Sequence, residues 1–235
     1  MNLNFFIDFD GTISKEDLGD KVFKVLGKFE PYHSQLVNKQ IDIKEYWHEL
    51  CNNLNNGVSK NDILDIARNC DVDYYFKDFY DWVIEKNYKI RIVSDGFDIY
   101  IDEVLSHLEI TDIKVHCNKL IEKDNRFTPY FTGEQENCHC FSASCKRNIV
   151  LNNSDDEDIL VYIGDGYSDY CPAEHSDIVF AKKNLAAYCN TNKIPHYPYK
   201  NFFDVKKMMV DLVNKKKIKK RNIASIKRKN AFEAE

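Results

Sequence analysis

The sequence predicts an α/β fold: a doubly wound parallel sheet with a helical bundle inserted as a cap. Three observations carry that expectation. Short, almost wholly apolar runs recur at 5–7, 90–93 and 159–163, each the length of a buried strand. From residue 89 onward such runs alternate with helix-period stretches, the pattern of a parallel sheet covered on both faces. Between the first two runs, residues 16–70 hold helical periodicity and no strand, so that block is an insertion.

In chain order, residues 3–8 form the first strand. Leu18, Val22, Val25 and Leu26 then follow i, i+4, i+7, i+8 spacing. Ile43, Tyr46, Trp47, Leu50 and Leu54 repeat it, and Ile63, Ile66 and Ala67 continue it, which makes three or four helices. Residues 76–86 form a helix with Phe79, Trp82 and Val83 on one face. Strand 89–94, helix 98–108 and strand 114–120 follow, the last with a hairpin partner near 126–131. Helix 144–151, strand 159–163, helix 169–175 and strand 178–181 continue the alternation, and helix 203–214 closes it. The expected division is a core of 1–14 and 76–214, a helical cap of 15–75, and a basic tail of 215–235 that would suit a solvated or disordered arm.

With 235 residues, 43% hydrophobic and 30% charged, the chain can bury a sizeable core without disulfides or metals. That excludes a disordered chain, a disulfide mini-protein and a collagen. No apolar run approaches the roughly 20 residues that span a bilayer. The first residues show no basic region followed by a long apolar stretch. The expectation is therefore a cytoplasmic protein without membrane attachment, its eight cysteines reduced. The net charge is −5, but nine Lys and Arg fall within 215–229. Without them, 24 basic side chains face 38 acidic ones, a balance of −14. An acidic body argues against a nucleic-acid partner. An anionic substrate would be held by a few placed donors and a metal.

In doubly wound sheets, ligands bind beyond the carboxyl ends of the strands, so the strand ends are where chemistry is sought. The first strand ends in Asp8-Phe9-Asp10-Gly11-Thr12. Two carboxylates this close are costly unless a cation lies between them or one is protonated, and Gly11 permits a sharp turn. A lone Asp-x-Asp is commonly a solvated acidic loop; the strand directly before it weighs against that. The second strand ends in Ser94-Asp95-Gly96, an ordinary turn by itself, whose hydroxyl and amides suit a phosphate oxygen. Ser142-Ala143-Ser144-Cys145-Lys146 opens a helix that either serine could cap. Lys146 there opposes the helix dipole: it is a surface lysine, or a cation held to meet a phosphate. Gly164-Asp165-Gly166-Tyr167-Ser168-Asp169 repeats the logic of the first site and could complete an oxygen cage for Mg²⁺.

Taken in order, Asp-x-Asp-Gly-Thr, strand-end Ser, helix-start Lys and Gly-Asp-Gly-x-x-Asp resemble the haloacid dehalogenase superfamily over about residues 3–205. Within it the chain resembles the phosphoserine-phosphatase-like group. It looks most like the methionine-salvage 2-hydroxy-3-keto-5-methylthiopentenyl-1-phosphate phosphatases, on the stretches 162–173, 176–181 and 188–199 and on the cysteine-rich lead into Lys146. The resemblance implies a cytosolic Mg²⁺-dependent phosphomonoesterase acting on a small-molecule phosphate ester, with Asp8 the nucleophile of an aspartyl-phosphate mechanism. It implies Asp10 as general acid and base, and Mg²⁺ on Asp8, the Asp10 carbonyl and Asp165. Thr12, Ser94 and Lys146 would hold the phosphoryl oxygens, and Asp169 would orient Lys146 or a metal-bound water.

The cap should select the substrate. Asp17 falls where phosphoserine phosphatases carry a Glu that meets the substrate amine. Those enzymes also use a cap Arg for the substrate carboxylate, yet residues 46–54 hold none; the cap's one Arg is Arg68. The Ser-Asp-Gly motif also departs from their usual Ser-Gly-Gly. Most cap aromatics (Phe23, Phe29, Tyr32, Tyr46, Trp47) read as cap core. Amino-acid or amino-alcohol phosphates are the competing substrates, a phosphotransferase is the competing reaction, and an inactive phosphometabolite-binding regulator is the reading of another class. The intact acids and Lys146 weigh against the regulator. Cys138-His139-Cys140 with Cys145 offers a small Zn²⁺ site, but without a Cys-x-x-Cys pair free thiols are favoured; Cys171 and Cys189 read as packing residues. The oligomeric state is left open.

Overall fold

A computed structural model describes residues 2–133, 138 and 140–233. Seven strands, β1 (Asn2–Ile7), β2 (Lys89–Phe97), β3 (Lys114–Lys123), β4 (Arg126–Tyr130), β5 (Asp158–Gly164), β6 (Ile178–Ala181) and β7 (Tyr197–Pro198), form one sheet in the order 4-3-2-1-5-6-7. Only the β3–β4 hairpin at one edge is antiparallel. β1 lies between β2 and β5, so the direction of winding reverses beside it and opens a crevice at its carboxyl end.

The apolar runs are continuous because both faces of the sheet are covered. Leu3, Phe5 and Ile7 of β1 enter one core while Phe6 enters the other. On the first face, Phe5 meets Phe79 and Trp82 of α5 (Phe76–Glu85), and Phe79 packs on Phe202 of α10 (Phe202–Asn214). On the second face, α7 (Lys146–Asn152), α8 (Tyr170–His175) and α9 (Lys183–Thr191) contribute Val150, Ala173, Leu185 and Cys189. Full burial of side chains of this size contributes about 1.5–3 kcal/mol each for the larger ones.

Between β1 and α5 the chain forms α1 (Leu18–Leu26), α2 (Tyr32–Val37), α3 (Ile43–Asn52) and α4 (Lys60–Arg68). Local chemistry starts them: Asp17 accepts from the Asp20 amide, Asp42 accepts from the Lys44 and Glu45 amides, and Ser59 with Asp62 forms a capping box. Their apolar stripes, among them Val22, Phe23, Tyr46, Trp47, Leu50 and Ile63, run into the first-face core instead of closing a separate one. An aromatic series joins cap to sheet: Phe23 to Trp47 at 5.7 Å, Trp47 to Phe97 at 5.0 Å, and Phe97 to Tyr100 at 6.3 Å, the last on α6 (Asp98–His107). Phe23, Phe29, Tyr46 and Trp47 are buried and Tyr32 is half-buried, as core residues of the cap should be.

Several boundaries differ from the sequence reading. α7 starts at Lys146 with Cys145 as its cap residue, and neither nearby serine caps it. Ser142 instead donates to the Ser144 carbonyl, and Ser144 joins Asn118 and the Gly133 amide. α9 and β7 occupy a stretch assigned no element. The basic tail carries α11 (Asn222–Glu233). Its Arg228 pairs with Asp177, its Lys227 with Glu174, and Arg221 just before it donates to the Ala173 and Glu174 carbonyls. Partners on and beside α8 take up the tail's charge and seat the helix. No helix among the described residues is long and apolar enough to cross a membrane.

Candidate active site

The crevice holds a cavity of about 340 Å³ whose floor is the strand ends and whose roof is the cap. Asp8 follows β1, Ser94 to Gly96 lie in the last turn of β2, Asp165 and Gly166 follow β5, and Lys146 opens α7; all reach the cavity. Asp17, Ile43 and Trp47 line it from the cap. Asp10 also lines it, while Thr12 and Asp169 do not. Asp169 is fully buried beneath Lys146. Thr12 is buried away from the wall, and its hydroxyl has no hydrogen-bond partner among the described residues.

Lys146, 1% exposed, is the hub. Its Nζ donates to Asp8 Oδ1 at 2.6 Å and to Asp169 Oδ1 at 2.8 Å. Burial alone would pull its pKa down, but Asp169 and Asp8 outweigh that and hold it protonated. Asp169 is fully engaged: Tyr162 and Lys146 donate to Oδ1, and the Asp165 and Gly166 amides donate to Oδ2. It therefore braces Lys146 and the 165–166 turn.

The balance of charge is negative. Carboxylate oxygens of Asp8, Asp165 and Asp169 lie within 4.8 Å of one another. Burial, then Asp169, push Asp8 up despite Lys146; burial and Asp169 push Asp165 up, against Lys183, whose Nζ donates to Asp165 Oδ2 at 2.8 Å. With Asp169 saturated, Asp8 and Asp165 are the carboxylates with capacity left, and an all-oxygen pair of this kind fits a small hard cation. Gly11 makes the approach possible. Its φ is +72°, and a Cβ there would lie 2.3 Å from Asp165 Oδ2.

Asp10 is set differently. Enclosure, then Asp17 and Asp8, push its carboxyl well above the usual range, which suits a proton donor. The Leu18 amide of α1 donates to its Oδ1 at 2.8 Å, so the cap's first helix holds it. Its Oδ2 borders Gly96, where a Cβ would lie only 2.7 Å away. Ser94 Oγ accepts from the Gly96 amide at 2.9 Å, leaving its proton to donate into the cavity.

Sequence reasoning missed two members. Asp95 accepts from the Ala143 and Ser144 amides, both at 2.9 Å, and so ties the end of β2 to the loop that delivers Lys146. Lys183 lines the cavity just after β6. The one signal for it was a Lys-Lys pair directly after an apolar strand run.

Comparison with known proteins agrees with this geometry. A family model described as Putative Phosphatase matches residues 4–225. The chain belongs to the Putative Phosphatase family. It is a phosphomonoester hydrolase of the haloacid dehalogenase type. Among curated relatives, it is similar to the 2-hydroxy-3-keto-5-methylthiopentenyl-1-phosphate phosphatase of Bacillus cytotoxicus (strain DSM 22905 / CIP 110041 / 391-98 / NVH 391-98). The two are 25% identical over 228 residues, covering 92% of this chain and 100% of that protein. It is likewise similar to the enzyme of the same name from Bacillus cereus (strain AH820), 26% identical over 224 residues with the same coverage. Among solved structures, a substrate-bound phosphoserine phosphatase superposes with a TM-score of 0.66 at 14% identity, covering 88% of this chain and 98% of that one. That last likeness shows the fold.

Proposed function

We propose that this phosphatase hydrolyses its ester through a phosphoryl group carried on Asp8, with Mg²⁺ as cofactor. The observation that supports this most is the Asp8–Lys146–Asp169 arrangement under a cavity rimmed by Asp10, Ser94 and Asp165. A carboxylate oxygen of Asp8 attacks phosphorus as the ester P–O bond breaks. The leaving alkoxide takes the proton of Asp10. Water then attacks phosphorus, gives a proton to the Asp10 carboxylate, and releases phosphate and a free Asp8. Lys146 and Ser94 hold the phosphoryl oxygens, and Thr12 supports the turn beside them. Asp8, the Asp10 carbonyl and Asp165 would hold Mg²⁺, which offsets the negative charge that otherwise keeps one anion from another. The chemistry asks for a soluble metabolite, and we place the enzyme in the cytoplasm.

Core residues 1–14 and 76–214 carry this chemistry; residues 15–75 choose the leaving group. The cap offers the cavity Asp17, Ile43 and Trp47, and no cation. Arg68 is bound on the surface to Glu103 and Asp65. A leaving group with a carboxylate would meet no cap cation in this cavity, and Lys183 on the floor is already bound to Asp165. The substrate is therefore a carboxylate-free phosphate, best matched by the methionine-salvage ester 2-hydroxy-3-keto-5-methylthiopentenyl-1-phosphate. A second reading, an amino-alcohol phosphate, rests on an outer cavity of about 880 Å³ that continues past Asp17 and Trp47. Asp17, Asp20 and Glu174 outnumber Lys39 and His33 on its walls, and with Tyr46, Tyr170 and Tyr188 they suit an ammonium group. Acid quenching during turnover should leave one phosphoryl group on the peptide that contains Asp8. An enzyme that turns over with no phosphorylated Asp8 rejects the mechanism.

A further inference from the structure

We propose that Cys138, Cys140, Cys145 and Cys171 form a structural Zn²⁺ site, separate from the carboxylate site. The fold brings together four thiols that the sequence scatters. The Sγ atoms of Cys138, Cys140 and Cys145 all lie within 4.8 Å of one another. Cys171, 33 residues further on, places its Sγ 3.6 Å from that of Cys138. With Zn–S bonds of about 2.3 Å, the sulfurs of a tetrahedral site stand about 3.8 Å apart, close to the Cys138–Cys171 separation; Cys171 stands outside the 4.8 Å set of the other three and would draw in on binding. Cys140 also contacts both Cys138 and Cys145, and Cys171 lies near Cys145 as well. None of the eight cysteines is in a disulfide.

Donors of two neighbouring residues face the cluster. The Asn148 backbone amide donates to the Cys145 sulfur, and the Arg147 guanidinium lies near Cys145 and Cys171. Cys138 and Cys145 are buried; Cys140 and Cys171 are half-buried beside the outer cavity, which gives an ion a way in. His139 lies outside the described residues and is not needed for a four-sulfur set. The absence of a Cys-x-x-Cys pair weighed against zinc in the sequence, but the missing partner comes from the first turn of α8. Cys171, read as a packing residue, faces the other thiols, whereas Cys189 sits wholly in the second-face core.

The location gives the ion a purpose. Cys145 directly precedes Lys146, and Cys171 follows Asp169 by two residues. A zinc ion would clamp together the two segments whose side chains form the buried Lys146–Asp169 contact. Holding Cys145 in place would fix where Lys146 enters the site. The ion itself is a positioning element, as redox-inert zinc with four thiolates and no open coordination position is elsewhere.

The test is metal analysis of the full chain purified without chelator from zinc-supplemented cells. About one zinc per chain should survive dialysis against Mg²⁺ buffer. It should persist in Asp8→Asn, which alters the carboxylate site, and in Cys189→Ser. It should fall at least tenfold in Cys140→Ser and Cys171→Ser. The wild-type protein loaded with Co²⁺ should show the thiolate charge-transfer and visible bands of tetrahedral tetrathiolate cobalt, a readout that does not depend on the variants folding. The proposal is overturned by folded wild-type protein holding less than a tenth of an equivalent of zinc, by zinc that leaves with Asp8→Asn but stays in both cysteine variants, by an iron–sulfur chromophore, or by cobalt spectra without thiolate bands.

Discussion

The floor and the roof of the active-site cavity are built by different rules. On the floor four charged groups are buried and cross-braced: Lys146 between Asp8 and Asp169, Asp169 under four donors, Asp165 against Gly11 and the exposed Lys183. The roof is aromatic and sparsely bonded, with Asp17 its one charge toward the cavity. The Trp47 Nε1 and Tyr100 hydroxyl near it are buried without a hydrogen-bond partner among the described residues. The floor repeats what any phosphoryl transfer requires, since all substrates present the same group there. The roof meets only the leaving group, and its unspent donors and lone acid are the features free to discriminate.

The sharpest break of the floor is Asp8→Asn. It should lower kcat more than about a thousandfold, over 4 kcal/mol, with the fold intact by circular dichroism. Residual activity above that level removes Asp8 as nucleophile. Lys146→Met leaves Asp8 and Asp169 buried without their cation. Chemical denaturation should show a loss of about 3–5 kcal/mol, and a loss under 1 kcal/mol would mean that the floor is not held by this ion network. Chelation by EDTA should cost at least about a hundredfold in rate, near 2.7 kcal/mol, with Mg²⁺ restoring it and Ca²⁺ doing so poorly. Full activity after exhaustive chelation contradicts a metal on Asp8 and Asp165.

The roof is tested by substrate. Under one condition, kcat/KM for the methionine-salvage ester or for phosphoethanolamine should exceed that for phosphoserine by tenfold or more, about 1.4 kcal/mol. A tenfold preference for phosphoserine would overturn the argument from the missing cap cation. The smallest effect belongs to Arg68→Ala. Its guanidinium bonds Glu103 and Asp65 at an exposed site, so the denaturation midpoint should barely shift and kcat/KM for phosphoserine should not move. A severalfold fall would bring Arg68 into the cap site.

What the sequence made legible follows the same division. Asp8, Asp10, Asp165, Asp169 and Lys146 sit directly beyond apolar runs or at a helix start, so local pattern places them at the crevice. Asp95 was invisible as a member because its partners, Ala143 and Ser144, lie 48 and 49 residues away. Its Ser-Asp-Gly context reads equally well as a turn. The contact of Cys171 with Cys138 was hidden for the same reason, since only the fold pairs them. The tail helix α11 has a weak amphipathic pattern. Its seat depends on Asp177 and Glu174, about 50 residues earlier, which no local window contains. Thr12 shows the converse: a good motif position whose hydroxyl does not reach the cavity wall.

The bond from the Leu18 amide to Asp10 makes the acid answer to the helix above it. An amide that donates to a carboxylate favours the ionised form, and here it opposes the upward push of enclosure. Helix seating and proton release at Asp10 are therefore linked, and linkage works in both directions. Lifting α1 breaks that bond but also carries off Asp17 and the enclosure, the larger upward pushes, so Asp10 holds its proton less tightly with α1 raised and more tightly with α1 lowered. By the same reciprocity a protonated Asp10 tolerates the seated α1 and Asp17 best, so the helix is held hardest while Asp10 still carries the proton it would donate.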